Sequence, residues 1–397
     1  MPFRHHISAA MVIVLMGSGL APAAQTVTRP FLGIALYHQT ETSPRPLNIN
    51  VAEIDLAASG ISFQVTPPGP DPRPIGTNPG FAGVPLETVR EATRLYADQI
   101  GAQLAINCSY FSSETVNGVF WANNLGLTVS NGNKYSPWEL PPNNDNNFDD
   151  ALNISQSNQA FIVKMPSSVP TGFETLPSVS LYNAVTGKER ILQSGVNVAP
   201  STGTDPRTAI GLTAGNSKLL LMTVDGRQPG FSEGVTLAEL AGYMASYGAT
   251  NAISMDGGGS TELAANFYAD NQPSLLINSP SQIPERLVGA NLAVFALPNG
   301  DYNQNGVVDA ADYVVWRDSI GGQYAYDAWR QRFGGSVGSG SSQSDTRLVP
   351  EARSMWIIVV LAGSLLLGRV RRLRFKVSLI NPIGVFGISA GRIIDFC

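Results

Sequence analysis

Histidine and cysteine are scarce in this sequence, with three histidines and two cysteines among 397 residues. His5 and His6 lie in the first 23 residues, which leaves His38 as the histidine of the main domain. A histidine-rich zinc site or a histidine triad therefore cannot be built unless His38 serves alone. Cys108 and Cys397 are too few for a disulfide framework or a cysteine-rich metal site. Carboxylates and arginines must carry any chemistry.

Basic runs are also missing from the main domain, and the formal net charge is only −5. A nucleic-acid partner needs clustered positive charge, so this composition argues against one. It leaves a neutral or singly charged glycan derivative open as the ligand.

The two ends of the chain have the features of export signals. Arg4 and two histidines precede an apolar run from 7 to 20, and Ala21-Pro-Ala23 follows, as in a signal peptide cleaved after Ala23. The predicted organisation is a signal peptide at 1–23, a catalytic domain at 24–298, a small calcium-loop module at 299–335, a linker at 336–354, a membrane or sorting segment at 355–374 and a tail of unknown role at 375–397.

The most informative segment is 251–262, in which an apolar strand ends at Asp256 and continues as Gly257-Gly-Gly259-Ser260-Thr261. Glycines leave room for peptide N–H groups to approach a ligand, and the two hydroxyls add donors. A plain turn needs one glycine rather than three. The segment is therefore typical of an anion-binding loop next to a carboxylate.

A second carboxylate belongs to the same region. The apolar run 218–225 ends at Asp225 and predicts a strand covered on both faces. Thr236 and Glu239 form a capping box at the start of a helix, and the strand leading to Asp256 follows. Strand, helix and strand of these lengths predict a βαβ unit, whose parallel strands place both aspartates at one sheet edge.

Arg207 is predicted to join them. The strand 207–213 and the turn 214–217 form a hairpin with the next strand, and a register that pairs 213 with 219 places Arg207 opposite Asp225. Arg227 lies in the following loop. Two carboxylates, arginines and a glycine loop suit a ligand with a phosphate and a bond that needs acid–base help. The alternative is an Arg–Asp pair that only holds the strand ends together.

The remaining pattern predicts an α+β fold, in which a mixed β-sheet core contains the βαβ unit and packed helices, with a small helical calcium-loop module beside it. Residues 47–56 alternate like a strand. Residues 86–101 carry a helical apolar face, and 103–107 read as a further strand. Asn107 ends that strand and could face the site.

Several motifs resemble, in their order along the chain and their spacing, those of the phosphodiester glycosidase family. They are RTAIG at 207–211, VDGR at 224–227, GVTLAEL at 234–240, MDGGGST at 255–261, AINCSYF at 105–111 and PERLV at 284–288. The resemblance extends from about Leu47 to Leu297. It departs from relatives at Cys108 and Ser109, where glycine is common. It implies hydrolysis of a sugar-1-phosphodiester at the anomeric carbon, with an N-acetylglucosamine-1-phosphate-type or envelope polysaccharide substrate.

For that chemistry Asp256, Asp225 and Arg207 are the predicted catalytic residues. The predicted substrate-binding residues are Asn107, Arg227, Gly257, Gly258, Gly259, Ser260, Thr261, Glu262 and Arg286. No cofactor is predicted at this site. Two alternatives stay open: a glycan- or envelope-binding protein without catalysis, and a phosphodiesterase that cuts P–O, although such enzymes usually assemble two metals with histidine ligands.

Residues 301–312 match a calcium loop. Its predicted ligands are Asp301, Asn303, Asn305, the carbonyl of Val307, Asp309 and Asp312, with Gly306 at the turn. Aspartate at the last position makes the loop resemble a dockerin. The alternative is an Asn/Asp-rich linker that binds nothing.

Two related segments follow the loop. The segment from Tyr313 to Gly322 recurs from Tyr326 to Gly335, but the second copy lacks an acidic loop. We therefore expect one structural calcium. An envelope or cohesin-like protein is a candidate partner.

The C-terminal part resembles a PEP-CTERM sorting signal, with Val349-Pro-Glu351, an apolar run at 355–368 and basic residues at 369–374. The apolar run is shorter than the ~20 residues of a stable span, which favours a transient anchor. The resemblance implies export and sorting machinery as partners, and a location in the cell envelope or outside the cell.

Overall fold

The computed structural model describes residues 24–73, 85–139, 148–267, 273–303 and 305–336. The predicted signal peptide, sorting segment and tail lie outside these ranges, as does the predicted linker after Ser336. The strands, in chain order, are β1 Ala24–Phe31, β2 Ile34–Glu41, β3 Leu47–Asp55, β4 Ser62–Val65, β5 Thr88–Val89, β6 Leu104–Asn107, β7 Phe111–Val116, β8 Val119–Asn124, β9 Thr128–Ser130, β10 Asn133–Ser136, β11 Asp150–Ile154, β12 Ala160–Lys164, β13 Asn183–Gly187, β14 Arg190–Gln193, β15 Val196–Asn197, β16 Arg207–Thr213, β17 Lys218–Val224, β18 Ala249–Ser254, β19 Leu263–Ala265, β20 Leu275–Leu276 and β21 Asn291–Phe295.

Helices are few and short beside these strands. They are α1 Thr93–Ile100, α2 Leu237–Ser246, α3 Ala310–Val315 and α4 Gln323–Arg332, with 3₁₀ turns at Ala214–Asn216 and Gly258–Ser260 and a π-helical turn at Trp316–Ile320. Within the described ranges, no helix is long and apolar enough to cross a membrane. The described fold is mixed and mostly β-sheet.

The largest sheet has eight strands in the order β1-β2-β3-β17-β16-β18-β14-β15. Strand β17 carries apolar side chains on both of its faces, and both faces are covered. Leu219 and Leu221 belong to one core cluster, and Leu220 and Met222 belong to another. The first cluster lies between this sheet and the five-stranded sheet β20-β19-β6-β21-β4, and the second lies under α2. The continuous apolar run therefore predicted a doubly covered strand correctly.

The crossover helix also follows its sequence signals. Thr236 accepts from the Glu239 backbone N–H at 3.2 Å, and the Glu239 side chain accepts from the Thr236 N–H at 2.8 Å. This is the predicted capping box, and Leu237, Leu240, Ala241 and Met244 form the buried face of α2. β17 and β18 are parallel but not adjacent, since β16 lies between them and is antiparallel to both.

The predicted helix at 86–101 is wrong in its first half. Thr88 and Val89 form β5, which pairs with Ala122 and Trp121 of β8, and the helix begins only at Thr93. Apolar residues spaced for a helix face fit equally well on a strand when a neighbouring strand offers hydrogen bonds. Tertiary pairing decided the conformation here.

The two related C-terminal segments pack against each other through their repeated aromatic residues. The Tyr313 ring lies 5.1 Å from Trp329, and the Trp316 ring lies 4.9 Å from Tyr326. Each tyrosine thus meets the tryptophan of the other copy, as expected for two copies of one motif. The arrangement makes a small aromatic core for α3 and α4.

Candidate active site

Asp225, Asp256 and Arg207 lie at one edge of the eight-stranded sheet. β17 ends just before Asp225, β18 ends two residues before Asp256, and β16 begins at Arg207. The predicted shared edge is confirmed. The predicted register is off by one, because Leu212 rather than Thr213 pairs with Leu219, so Arg207 lies opposite Val224.

Two hydrogen bonds fix the backbone of Asp256, and its carboxylate lies at the edge of the eight-stranded sheet. Its N–H donates to the Cys108 carbonyl at 2.8 Å, and its own carbonyl accepts from Asn107 Nδ2 at 2.7 Å. Burial raises the pKa of Asp256 to about 6, while the Ser260 hydroxyl and the Arg286 charge act to lower it. With 8% of its surface exposed, Asp256 is a carboxyl group that titrates close to neutral pH and keeps access to a ligand.

Asn107 joins three segments behind Asp256. Besides the bond to Asp256, its Oδ1 accepts from Thr208 Oγ1 at 2.9 Å and from the Glu262 N–H at 3.1 Å. The amide is fully buried. Both of its polar ends are thus used inside the protein, which makes Asn107 a positioning residue in this conformation.

Asp225 is enclosed more completely than Asp256, with 1% of its surface exposed. Its Oδ2 accepts from Asn48 Nδ2 at 2.6 Å and from the Ser279 N–H at 3.0 Å, and its Oδ1 accepts from Asn278 Nδ2 at 2.8 Å. Burial raises its pKa to about 6 against these hydrogen bonds. Asp225 therefore ties β3 and the loop at 278–279 to the end of β17.

The predicted pairing of Arg207 with Asp225 is wrong. The Arg207 guanidinium donates to the Val235 carbonyl at 3.2 Å and to the Gly203 carbonyl at 2.9 Å. The one-residue change in register has a physical consequence, since alternate residues of a strand point to opposite faces. Asn48, on the neighbouring strand β3, makes the side-chain contact with Asp225 that was expected of Arg207.

Two other guanidiniums flank the glycine loop. Arg227 is paired bidentately with Asp205, at 2.6 and 2.9 Å. A Cβ on Gly258, whose φ is +63°, would lie 3.0 Å from the Arg227 side chain, and a Cβ on Gly259 would lie 2.6 Å from Arg286. The positive φ of Gly258 favours glycine at that position, and the ends of the two arginine side chains lie close to the loop backbone.

The loop uses most of its own N–H groups, contrary to the expectation that they point at a ligand. The N–H of Gly258 donates to the Pro206 carbonyl at 2.9 Å, that of Ser260 to Gly257 at 3.2 Å and that of Thr261 to Gly258 at 3.3 Å. The Ser260 hydroxyl accepts from Arg286 Nη1 at 3.3 Å. Guanidinium groups thus offer the charged donors at this loop.

Glu262 lies behind the loop and is fully buried. One of its oxygens accepts from the Thr93 N–H at the start of α1, at 3.3 Å, while Oε1 has no hydrogen-bond partner. Burial, followed by the Glu285 charge, raises its pKa to about 7. Glu262 thus connects the glycine loop to the start of α1 and, being fully buried, does not face the space in front of the loop.

Sequence reasoning missed a wall of the site formed by Tyr110, Lys188 and Glu189. The Tyr110 ring lies 5.6 Å from Phe148 and under the Lys188 ammonium at 5.8 Å. Burial raises its pKa, and the Asp256 and Glu189 charges raise it further. Tyr110 follows Asn107 by three residues and could have been noticed, whereas Glu189 has no local signal.

Glu189 reaches the site through strand pairing. Its Oε2 accepts from Ser254 Oγ at 2.8 Å, and its carbonyl accepts from the Ser254 N–H at 2.8 Å. Ser254 precedes Asp256 by two residues on the same strand end. The Glu189 side chain is about one-fifth exposed, so this carboxylate keeps contact with solvent.

The predicted calcium loop folds around two of its carboxylates. Asp301 accepts from the N–H groups of Asn305 and Gly306, at 3.1 and 2.8 Å. Asp312 accepts from those of Asn303 and Asp309, at 2.9 and 2.8 Å. Burial and the Asp301 charge raise the pKa of Asp312.

The third carboxylate, Asp309, caps α3 by accepting from the Ala311 N–H at 2.8 Å. Among the described residues no group of three or more histidine, cysteine or acidic side chains is arranged to hold a metal ion. In a loop of this type the ninth position often contacts calcium through a water molecule. The capping role of Asp309 is therefore compatible with the predicted ligand set.

The sequence model of the phosphodiester glycosidase family matches residues 100–295, just under half of the chain. All the motifs that carry the resemblance lie in this segment, where the resemblance is confirmed. Residues 47–99, where we expected it to begin, lie outside the match. No curated protein sequence matches the chain.

Three solved structures are similar in part. One is the catalytic domain of zebrafish N-acetylglucosamine-1-phosphodiester alpha-N-acetylglucosaminidase auto-inhibited by its pro-peptide, at 19% identity and TM-score 0.44 over 67% of this chain and 84% of that chain. A Burkholderia pseudomallei protein named as exported has 13% identity and TM-score 0.47 over 73% and 100%. A Synechocystis protein has 15% identity and TM-score 0.41 over 66% and 62%.

Proposed function

We propose that this chain is a hydrolase that cleaves the glycosidic C–O bond of a sugar-1-phosphodiester. The observation that carries the proposal is the position of Asp256, a buried carboxylate with a raised pKa that is hydrogen-bonded to Ser260 and lies within the influence of the Arg286 charge. The family match at 100–295 supports the same chemistry. The substrate is of the N-acetylglucosamine-1-phosphate type or belongs to an envelope or exported polysaccharide.

The phosphate of the substrate meets the guanidiniums at the glycine loop. Arg286 and Arg227 border Gly259 and Gly258, and Arg207 starts the strand between the two aspartates. Charged donors favour the phosphate monoester that leaves, because its negative charge grows as the bond breaks. A phosphate is a good leaving group, so acid assistance matters less than in ordinary glycosides.

Asp256 acts on the sugar side. As the C1–O bond breaks, its electron pair stays on the phosphate oxygen and positive charge builds on the sugar. The Asp256 carboxylate stabilises that charge or accepts a proton from the water whose oxygen bonds to C1. Asp225 is the second catalytic candidate from the sequence, but its three donors favour a positioning role. Glu189 and Tyr110 border the same space.

Hydrolysis in ¹⁸O-labelled water tests the proposal. Attack at the anomeric carbon places the label on the sugar, and attack at phosphorus places it on the phosphate. UDP-N-acetylglucosamine is the first substrate, followed by other sugar-1-phosphodiesters. Label on phosphate would identify a phosphodiesterase. Binding without turnover of any of them would identify a glycan-binding protein.

We further propose that the protein is exported and acts in the envelope or outside the cell. The support is the apolar segment at 7–20 and the sorting-like segment at 349–374. Intact-mass measurement of the protein from its native host should show trimming at both ends. A full-length cytoplasmic product would contradict this.

A further inference from the structure

A cleft of about 310 Å³ opens between the sheet β20-β19-β6-β21-β4 and a second five-stranded sheet, β10-β9-β13-β11-β12, away from the candidate active site. Its walls include Phe63 on β4, Phe295 on β21, Gln156 and Asn158 in the turn between β11 and β12, and Tyr182 before β13. All the residues that line it are described, and none carries a formal charge.

The cleft and Asp256 are at opposite ends of one strand. On β21, Asn291 lies opposite Asn107, the residue that holds the Asp256 carbonyl. Phe295 lies four residues further along β21, or about 13 Å at the usual rise per residue. A ligand in the cleft would therefore occupy a separate site.

A buried amide builds the floor of the cleft. β4 is the edge strand of its sheet, and its outward N–H at Val65 and carbonyl at Phe63 would normally invite another strand. Asn183 pairs with both instead, accepting from Val65 at 3.3 Å and donating to Phe63 at 3.0 Å. Asn183 also accepts from the Asn131 N–H at 3.0 Å. The Ser130 hydroxyl donates to the Val65 carbonyl at 2.6 Å, so two side chains together cover the strand edge.

The opposite wall is fixed as well. Asn158 has a φ of +60° and donates from Nδ2 to the Ile61 carbonyl at 2.8 Å, which ties the turn at 155–158 to the segment before β4. The hydroxyl and amide groups around the opening come from Ser62, Gln156 and Asn158. The walls of the cleft are therefore held by internal hydrogen bonds, and polar groups lie at its rim.

We propose that this cleft binds a neutral oligosaccharide. A charged ligand would lose its hydration without meeting an opposite charge, and a purely apolar ligand would cover the polar groups of Ser62 and Gln156 without offering them partners. Sugar hydroxyls can pair with the Ser62 hydroxyl and the Gln156 amide while the C–H faces of the ring pack on Tyr182 and Phe295. The volume is at the small end of ligand pockets and suits about one or two sugar units. The cleft would hold part of a glycan remote from Asp256.

Titration of the full chain with chitotriose, cellotriose and mannotriose, followed by ligand-observed NMR and calorimetry, tests the proposal. We expect at least one of the three to bind at millimolar concentration. Tyr182→Ala should weaken that binding about tenfold or more, because it removes an aromatic surface. Tyr182→Phe should keep most of it. Asp256→Asn and Phe120→Ala, the latter at an exposed ring on β8, should leave it unchanged.

A second variant separates binding from folding. Gln156 is exposed in the turn, so Gln156→Ala should weaken binding without lowering the Tm even if Tyr182→Ala destabilises the protein. The proposal is overturned if none of the three sugars binds, or if both cleft variants bind like the wild type. Loss of binding in Asp256→Asn alone would assign the sugar to the active site instead.

Discussion

Asn107 donates its side-chain amide to the backbone carbonyl of Asp256 at 2.7 Å, and this bond links two different sheets. Asn107 ends β6 of the five-stranded sheet, and Asp256 follows β18 of the eight-stranded sheet. The same amide accepts from Glu262 beyond the glycine loop. Both ends of the loop are therefore anchored to one buried side chain, which restricts where the Asp256 carboxylate can point.

We expect Asp256→Asn to lower kcat by roughly a hundredfold or more while the fold stays intact. The active form is the carboxylate, and its pKa is raised to about 6. Activity should therefore rise as the pH increases through about 6, and this limb should vanish in the variant. The measurement is kcat against pH.

Ser260→Ala is the matched control. The Ser260 hydroxyl acts to lower the pKa of Asp256, so its removal should move the acid limb to higher pH without removing the alkaline plateau. An acid limb that stays in place in Ser260→Ala, or full activity in Asp256→Asn, would refute the assigned role.

Asp225→Asn should act on stability more than on chemistry. The Asp225 carboxylate accepts from Asn48, Asn278 and Ser279, and an amide cannot accept at both of its ends. We expect the free energy of unfolding to fall by ~1–3 kcal/mol, with a smaller loss of kcat than in Asp256→Asn. Urea unfolding and kcat at neutral pH measure the two effects. A greater loss of kcat in Asp225→Asn, at wild-type stability, would make Asp225 the catalytic carboxylate.

Glu262 should make the protein less stable as the pH rises. Its folded-state pKa is raised from 4.5 to about 7. The protonated form therefore stabilises the fold fully below pH 4.5, and this contribution is lost as the pH rises through about 7. Glu262→Gln resembles the protonated form and should gain ~3 kcal/mol over the wild type at pH 8, but nothing near pH 4.

Thermal unfolding at both pH values measures this difference. Glu233→Gln, at an exposed position, is the control and should show the same pH dependence as the wild type. An equal difference between Glu262→Gln and wild type at both pH values would show that Glu262 does not titrate as described.

The loop at 301–312 is proposed to bind one calcium ion. Asp301, Asn303, Asn305, Val307, Asp309 and Asp312 are its ligand positions, and the ion would offset repulsion between the buried carboxylates. Calorimetry on the full chain should show about one site. Asp301→Ala should abolish it, whereas Asp318→Ala, at an exposed position in the same module, should not.

Turnover should survive both of these substitutions, because the proposed calcium ion would be structural. Loss of activity on chelation in the Asp301→Ala variant would instead indicate a metal at the active site. An absence of calcium binding in the wild type would leave the segment as an Asn/Asp-rich linker.

Local signals in the sequence determined the elements that carry the site. The apolar run 218–224, the capping box at Thr236 and the glycines after Asp256 each depend on neighbours within a few residues. Because the crossover between parallel strands is so constrained, they also determined that Asp225 and Asp256 share an edge.

Only the tertiary structure decided which side chains face each other at that edge. A shift of one residue between β16 and β17 separated Arg207 from Asp225 and brought Asn48 to it instead. Glu189 meets Ser254 through a pairing between distant segments. Strand register is determined by the packing of whole sheets and side chains alternate along a strand, so no local pattern contains this information.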